Sequence, residues 1–226
     1  AMADQLPSAG TPGPHRSEQP FAKPHQCQFD PSGTVFAVPD KGCDETVCYR
    51  LDGAGRLCRV PGPAAASREG EGPRHITFHP AAPYAYVVNE LSSTLTACRF
   101  EVASGALQPV QVLSCLPDSF TGFSRAAEIE ISADGRFVYA SNRGFDSIGV
   151  FAVDIASGRL SPLGWAESGG RTPRFFTISP DGAALLVANE DSDTICHLAR
   201  DHDTGLLGPA RVVAETGSPT CILFAP

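Results

Sequence analysis

The sequence predicts an all-β protein: a β-propeller of four-stranded antiparallel blades, with four complete blades and one further terminal inner strand. Three observations carry this reading. First, four similar segments recur: PHQCQFDPSGTVFAVPD from Pro24, PRHITFHPAAPYAYVVNE from Pro73, AAEIEISADGRFVYASNR from Ala126 and PRFFTISPDGAALLVANE from Pro173. A fifth, PTCILFAP, begins at Pro219. Second, the steps between these starts are 49, 53, 47 and 46 residues, the range in which propeller blades repeat. Third, each copy runs on in register into a β-rich stretch (TVCYRL, TLTACRF, SIGVFAV, TICHLA) and then a turn ending in G-x-L at Gly55, Gly105, Gly158 and Gly205. No sustained 3.6-residue period competes with the short β-branched and aromatic runs.

Taken in chain order, residues 1–23 form a Pro- and Gly-rich loop or linker (LPSAGTPGPHRSEQPFAKP) with no strand pattern. Residues 24–226 form the partial propeller, its blades starting near 24, 73, 126 and 173. In each, strand A is the innermost, and D-P-S-G, S-A-D-G or S-P-D-G turns lead into strand B. Strands C and D follow. Residues 219–226 read as a lone inner strand. Seven blades at this period need roughly 330 residues, so the chain is expected to be the C-terminal part of such a ring. An open arc has two unpaired edges, and self-association through them is expected. A partner chain or closure as a four-bladed ring would be other ways to cover them.

The composition narrows the partners. With 17 Lys+Arg against 25 Asp+Glu the net charge is −8, and without a basic run the chain is a poor match for nucleic acid or an acidic membrane surface. No apolar stretch approaches the roughly 20 residues of a membrane span, and AMADQLPSAGTPGP lacks the form of an export signal, so a cytoplasmic location is expected. The eight cysteines include no C-x-x-C and fall partly within apolar runs, which reads as buried reduced thiols.

His75 and His79 in GEGPRHITFHP stand four residues apart. A helix would bring them together on one face, as in a zinc site; a strand separates them by about 13 Å. His79 also falls where other units carry Asp30, Ser132 and Ser179, the first residue of the A–B turn. A turn-capping role is therefore expected for His79, and no metal and no cofactor for the site.

In a propeller the start of strand A and the end of strand B of each blade meet at one mouth of the central channel. The first set is His25-Gln26, Arg74-His75, Ala127-Glu128, Arg174-Phe175 and Thr220-Cys221; the second is Asp40, Glu90, Arg143 and Glu190. Core positions stay apolar from unit to unit while these vary among imidazole, carboxylate and guanidinium. His75, Glu128 and Arg143 are the candidate catalytic residues, a base beside a carboxylate with a cation near them. Arg74, Arg174, Glu90 and Glu190 are candidates for substrate binding. His197, inside a strand C, reads as structural. A water-filled mouth lined by mutually neutralising charges would look the same, so the ring alone does not separate catalysis from solvation.

At these residues the sequence resembles the seven-bladed propeller lactonases, which include bacterial 6-phosphogluconolactonase and the fungal carboxy-cis,cis-muconate lactonising enzyme. The resemblance rests on GPRHITFHP, YAYVVNELSST, LPDSFTG, AAEIEISADGRFVYASNRGFDSI, RTPRFFTISPDG and LLVANEDSDTI. It implies a metal-free sugar-lactone hydrolase, or a related cycloisomerase, that takes a small anionic lactone or carboxylate at the channel mouth. The positions matching that family's functional histidine, glutamate and arginines are His75, Glu128, Arg143 and Arg174. Arg125, in the lead FTGFSRAAEI, departs from the family pattern. A catalytically silent fragment acting as an interaction scaffold is the reading from another functional class.

Overall fold

A computed structural model describes residues 4–6 and 10–225. It contains four antiparallel sheets. The first holds β1 (Gln28–Phe29), β2 (Phe36–Asp40), β3 (Glu45–Leu51) and β4 (Leu57–Arg59), with β5 (Ala65–Ala66) also paired to β3. The second is β6 (Pro73–Phe78), β7 (Tyr84–Asn89), β8 (Thr94–Glu101) and β9 (Ala106–Ser114); the third is β10 (Arg125–Ile131), β11 (Phe137–Arg143), β12 (Ser147–Val153) and β13 (Leu160–Glu167). The fourth is β14 (Pro173–Ile178), β15 (Ala184–Asn189), β16 (Thr194–Ala199) and β17 (Arg211–Glu215), with a single 3-10 turn, Glu190–Ser192. Apart from β5, the strands of every sheet follow chain order, the meander of a propeller blade.

The core lies between blades. Val35, Ala37, Cys48 and Val60 of the first blade meet Ile76, Phe78, Val87 and Phe100 of the second. Tyr86, Val88 and Leu95 meet Ile129, Val138 and Phe151 at the next junction. Tyr139, Ile148 and Val150 meet Phe176, Leu185, Val187 and Leu198 at the last. Strand β7 (YAYVVN) is consequently buried at all six positions, its alternate side chains feeding two different cores. The fourth blade is covered on one face: Cys196 and Leu198 are buried while Ile195 and His197 are half-buried.

Side-chain latches join the inner strands edge to edge. Gln26 Oε1 accepts from Ile76 N (2.7 Å), Arg74 Nη1 donates to the Ala127 carbonyl (2.7 Å), and Glu130 Oε2 accepts from Ile178 N (2.9 Å). Each spans one blade junction.

Three segments add detail to the sequence expectation. The described part of the N-terminal segment, expected as a loop or linker, is a loop packed on the first blade: Gly13 N donates to the Gly42 carbonyl, and Gln19, 1 % exposed, donates its side-chain amide to the Lys41 carbonyl. The first inner strand is only two residues long, although Pro24 bridges to Asp40 and His25 N donates to the Pro39 carbonyl; Pro39 has no N–H to return. Finally, residues 219–225 form no strand, and Ile222 and Leu223 border the central channel together with Gln26, Gln28 and Phe175; Pro226, the last residue of the expected inner strand, lies outside the described residues. Of the eight cysteines, Cys43, Cys48, Cys98, Cys115 and Cys196 are buried, whereas Cys27 and Cys221 are exposed.

Candidate active site

The inner strands β6, β10 and β14 each carry a β-bulge near their start, between Pro73 and His75, Ala126 and Ile129, and Pro173 and Phe175. A bulge sets two residues against one and re-aims the extra side chain. Arg74, the Ala127-Glu128 pair and Arg174 occupy these positions, so the repeat itself turns them toward the channel mouth. Glu128 is fixed further by its backbone N–H, which donates to Ser141 Oγ at 2.9 Å.

His75 and Glu128 come together. His75 Nδ1 lies 2.8 Å from Glu128 Oε1, which also accepts from Ile129 N at 3.0 Å. The other ring nitrogen, Nε2, lies 3.2 Å from His25 Nδ1, and the two imidazoles meet edge to face. Arg74 Nη1 is 3.1 and 3.2 Å from the two nitrogens of His75. Their in-plane lone pairs diverge, so the guanidinium stands over the ring face. Burial pushes Glu128 up to about 7 against the pull of Ile129 N–H and Arg74. Burial, then the charge of Arg74, pushes His75 down to about 3. The 2.8 Å contact is of ion-pair length, but both shifts disfavour charge, so it is a neutral imidazole against a carboxyl group near its titration point. His25 shifts down for the same reasons, loss of solvent first and then Arg74 and His75, although part of it stays exposed.

Beside this pair lies a cationic cluster. Glu90 is 2.6 Å from Lys41 Nζ, 3.1 Å from Arg74 Nε, 3.3 Å from Arg143 Nη2 and 3.7 Å from Arg125 Nη1. Glu18 binds Lys41 and Arg125, both at 2.9 Å. Burial alone would raise Glu90, but Arg143, Lys41 and Arg74 hold it down at about 2. Four cations against two carboxylates leave a local surplus of two positive charges in a chain of net charge −8. Arg74 and Glu90 are buried at the base of the cluster, while Arg125 keeps 29 % of its side chain exposed and Arg143 12 %. Arg174 and Glu190 form a separate, more open pair at 3.4 Å.

His75, Glu128 and Glu130 all line a channel cavity of about 530 Å³, walled by Gln26, Ile129 and Phe175. Glu130, two residues along β10, is likewise pushed up to about 7 by burial. His79 sits in its turn, where Nδ1 accepts from Ala81 N (3.1 Å) and Ala82 N (2.9 Å). Among the described residues no three His, Cys, Asp or Glu side chains are grouped closely enough to hold a metal ion, and no helix is long and apolar enough to cross a membrane.

The sequence reading did not pick out Glu18, Lys41, Arg125 or Glu130 as site residues, and it named His25 only as a member of the ring. Glu130 was legible, since alternation places it on the face of Glu128. Glu18 was not, because it lies in a segment without periodicity.

The description "Lactonase, 7-bladed beta-propeller" belongs to a family whose model matches residues 2–224. This chain is a member of the seven-bladed β-propeller lactonase family. Relatives within it include a 6-phosphogluconolactonase from Bacillus subtilis, 36% identical over 214 residues, which are 94% of this chain and 60% of that protein. The periplasmic gluconolactonase of Pseudomonas aeruginosa superposes with a TM-score of 0.82 at 35% identity, covering 90% of this chain and 57% of the other. A putative 6-phosphogluconolactonase from Bacteroides uniformis gives 0.87 at 30%, covering 100% and 64%. The chain thus spans about three-fifths of the length of the lactonase relatives it matches.

Proposed function

We propose that this chain carries the reaction mouth of a sugar-lactone hydrolase of the 6-phosphogluconolactonase kind. The observation that carries the reading is the buried His75–Glu128 contact next to a mouth with surplus positive charge. Ester hydrolysis needs a proton acceptor for the attacking water and a cation or donor for the oxyanion that forms at the carbonyl. The carboxyl of Glu128, near its titration point at neutral pH, supplies the first through His75. Arg143 and Arg125 supply the second and meet the substrate's phosphate or carboxylate, with Arg174 across the mouth. Lys41 and Arg74, buried against Glu90, hold this array in place. The cationic mouth also draws an anionic lactone toward an otherwise acidic protein.

The test is hydrolysis of 6-phosphogluconolactone by the chain, read against the spontaneous rate. Glu128→Gln and His75→Ala should each lower the catalysed rate by about 10²-fold or more, with far-ultraviolet circular dichroism unchanged. A parent protein that is folded yet no faster than buffer would overturn the reading.

A further inference from the structure

His75, the histidine with the strongest contact to a carboxylate, has no ring nitrogen left for substrate. Its Nδ1 faces Glu128 Oε1 at 2.8 Å and its Nε2 faces His25 Nδ1 at 3.2 Å, while Arg74 covers the ring face. Its side chain is 12 % exposed and that of Glu128 5 %. The chain of contacts ends on His25, which is exposed and whose Nε2 is the first nitrogen in the series that meets no hydrogen-bonding partner among the described residues.

We infer that His25 is the residue that exchanges a proton with the attacking water, and that His75 relays this proton to Glu128. This deepens the hydrolase reading above and rests on it. The wire has two states. With Glu128 ionised, His75 carries its proton on Nδ1 and donates it to the carboxylate; His75 Nε2 then accepts from His25 Nδ1–H, and His25 Nε2 is bare. When water attacks the lactone carbonyl, its proton goes to His25 Nε2, the His25 Nδ1 proton passes to His75 Nε2, and the His75 Nδ1 proton passes to Glu128. As the ring C–O bond breaks, the leaving oxygen takes a proton back from His25 Nε2 and the two transfers reverse. One water is consumed, one ring bond is cleaved, and the wire returns to its starting state.

Two features of the site favour this direction of transfer. The terminal acceptor is a buried carboxyl with a raised proton affinity, whereas both imidazoles are disfavoured as cations by loss of solvent first and then by Arg74. The proton therefore crosses the histidines without resting on them. His25 lies just ahead of the inner strand of the first blade and Glu128 on that of the third, so the reacting group and its acceptor belong to blades that are not neighbours, with His75 of the second blade between them.

The test compares His25→Ala and His25→Gln with the parent in the lactone assay. Both should lose about 10²-fold in rate or more, and free imidazole should restore part of the loss to His25→Ala; neither result follows from a structural role, because the residue is exposed. In parallel, imidazole ¹⁵N shifts should show the His25 proton on Nδ1 at pH 8, reverting to Nε2 in His75→Ala. Parent-like rates in both His25 variants, or His25 already protonated on Nε2 in the parent at pH 8, would overturn the relay. If the parent itself does not exceed the spontaneous rate, the hydrolase reading falls, and the tautomer alone judges the wire.

Discussion

Glu128 and Glu130 hold protons in the fold that they would lose in the unfolded chain, between the ordinary 4.5 and about 7. The stability each contributes is therefore full below 4.5 and lost as pH rises through 7. His25 and His75 act in the opposite sense: they stay neutral in the fold where the unfolded chain would protonate them, so their part is lost as pH falls below 6.5. The two sets oppose each other between 4.5 and 6.5. Relative to the parent, Glu130→Gln, which keeps an acceptor for Ile178 N–H, should tilt stability upward with pH in that window, and His25→Gln should tilt it downward. Denaturant midpoints at several pH values decide the matter, and parallel profiles for all three proteins would contradict it. The residue types at the mouth were legible from the sequence, because the repeat singled them out as the positions that refuse to repeat. Their mutual contacts were not, since these depend on how His25, from a different blade, lands against His75.

At the level of single elements, the repeat gave the strand order and the turn positions, while features that break ideal pairing had to be seen. The bulges in β6, β10 and β14 leave no composition signal, yet they aim Arg74, Glu128 and Arg174. The B–C turns are similar: Asp44, Asp146 and Asp193 take φ of 50°, 49° and 54° and accept N–H groups of Gly72, Thr172 and Ser218 from the segments leading onward. The G-x-L glycines were visible, but their second duty was not. Gly158, at φ 71°, has the ring of Tyr84 from the preceding blade against it, and a Cβ there would meet a ring carbon at 2.3 Å. Gly55, at φ 76°, has nothing within 4 Å. An alanine at either position would carry the left-handed backbone cost, about 1 kcal/mol, and only at Gly158 would it add a clash of about 1–3 kcal/mol. Gly158→Ala should accordingly lower the urea midpoint clearly more than Gly55→Ala, and equal losses would refute this packing account.

For the molecule as a whole, the three interblade cores explain why the arc is cohesive, and the faces at its two ends explain what remains apolar and uncovered. The first blade presents a hollow lined by Leu6, Phe36, Val38, Val47, Tyr49 and Leu57; the last presents the half-buried Leu186 and Ile195 and the exposed Val212 and Val213. We expect concentration-dependent association through these faces, visible in light scattering, and a monodisperse monomer across the micromolar range would exclude it. The repeat period made the blade count readable, whereas the tie of the N-terminal segment through Glu18 and Gln19 depends on a fold-back that no local pattern announces. The empty space beside Gly55 has a further use. Gly105, Gly158 and Gly205 each touch the blade before them, so a methyl group at Gly55 reports occupancy: it costs only the backbone strain while nothing adjoins the first blade, and as much as at Gly158 in any longer chain or assembly that seats another blade there. One substitution thereby turns the arc into its own gauge of completion.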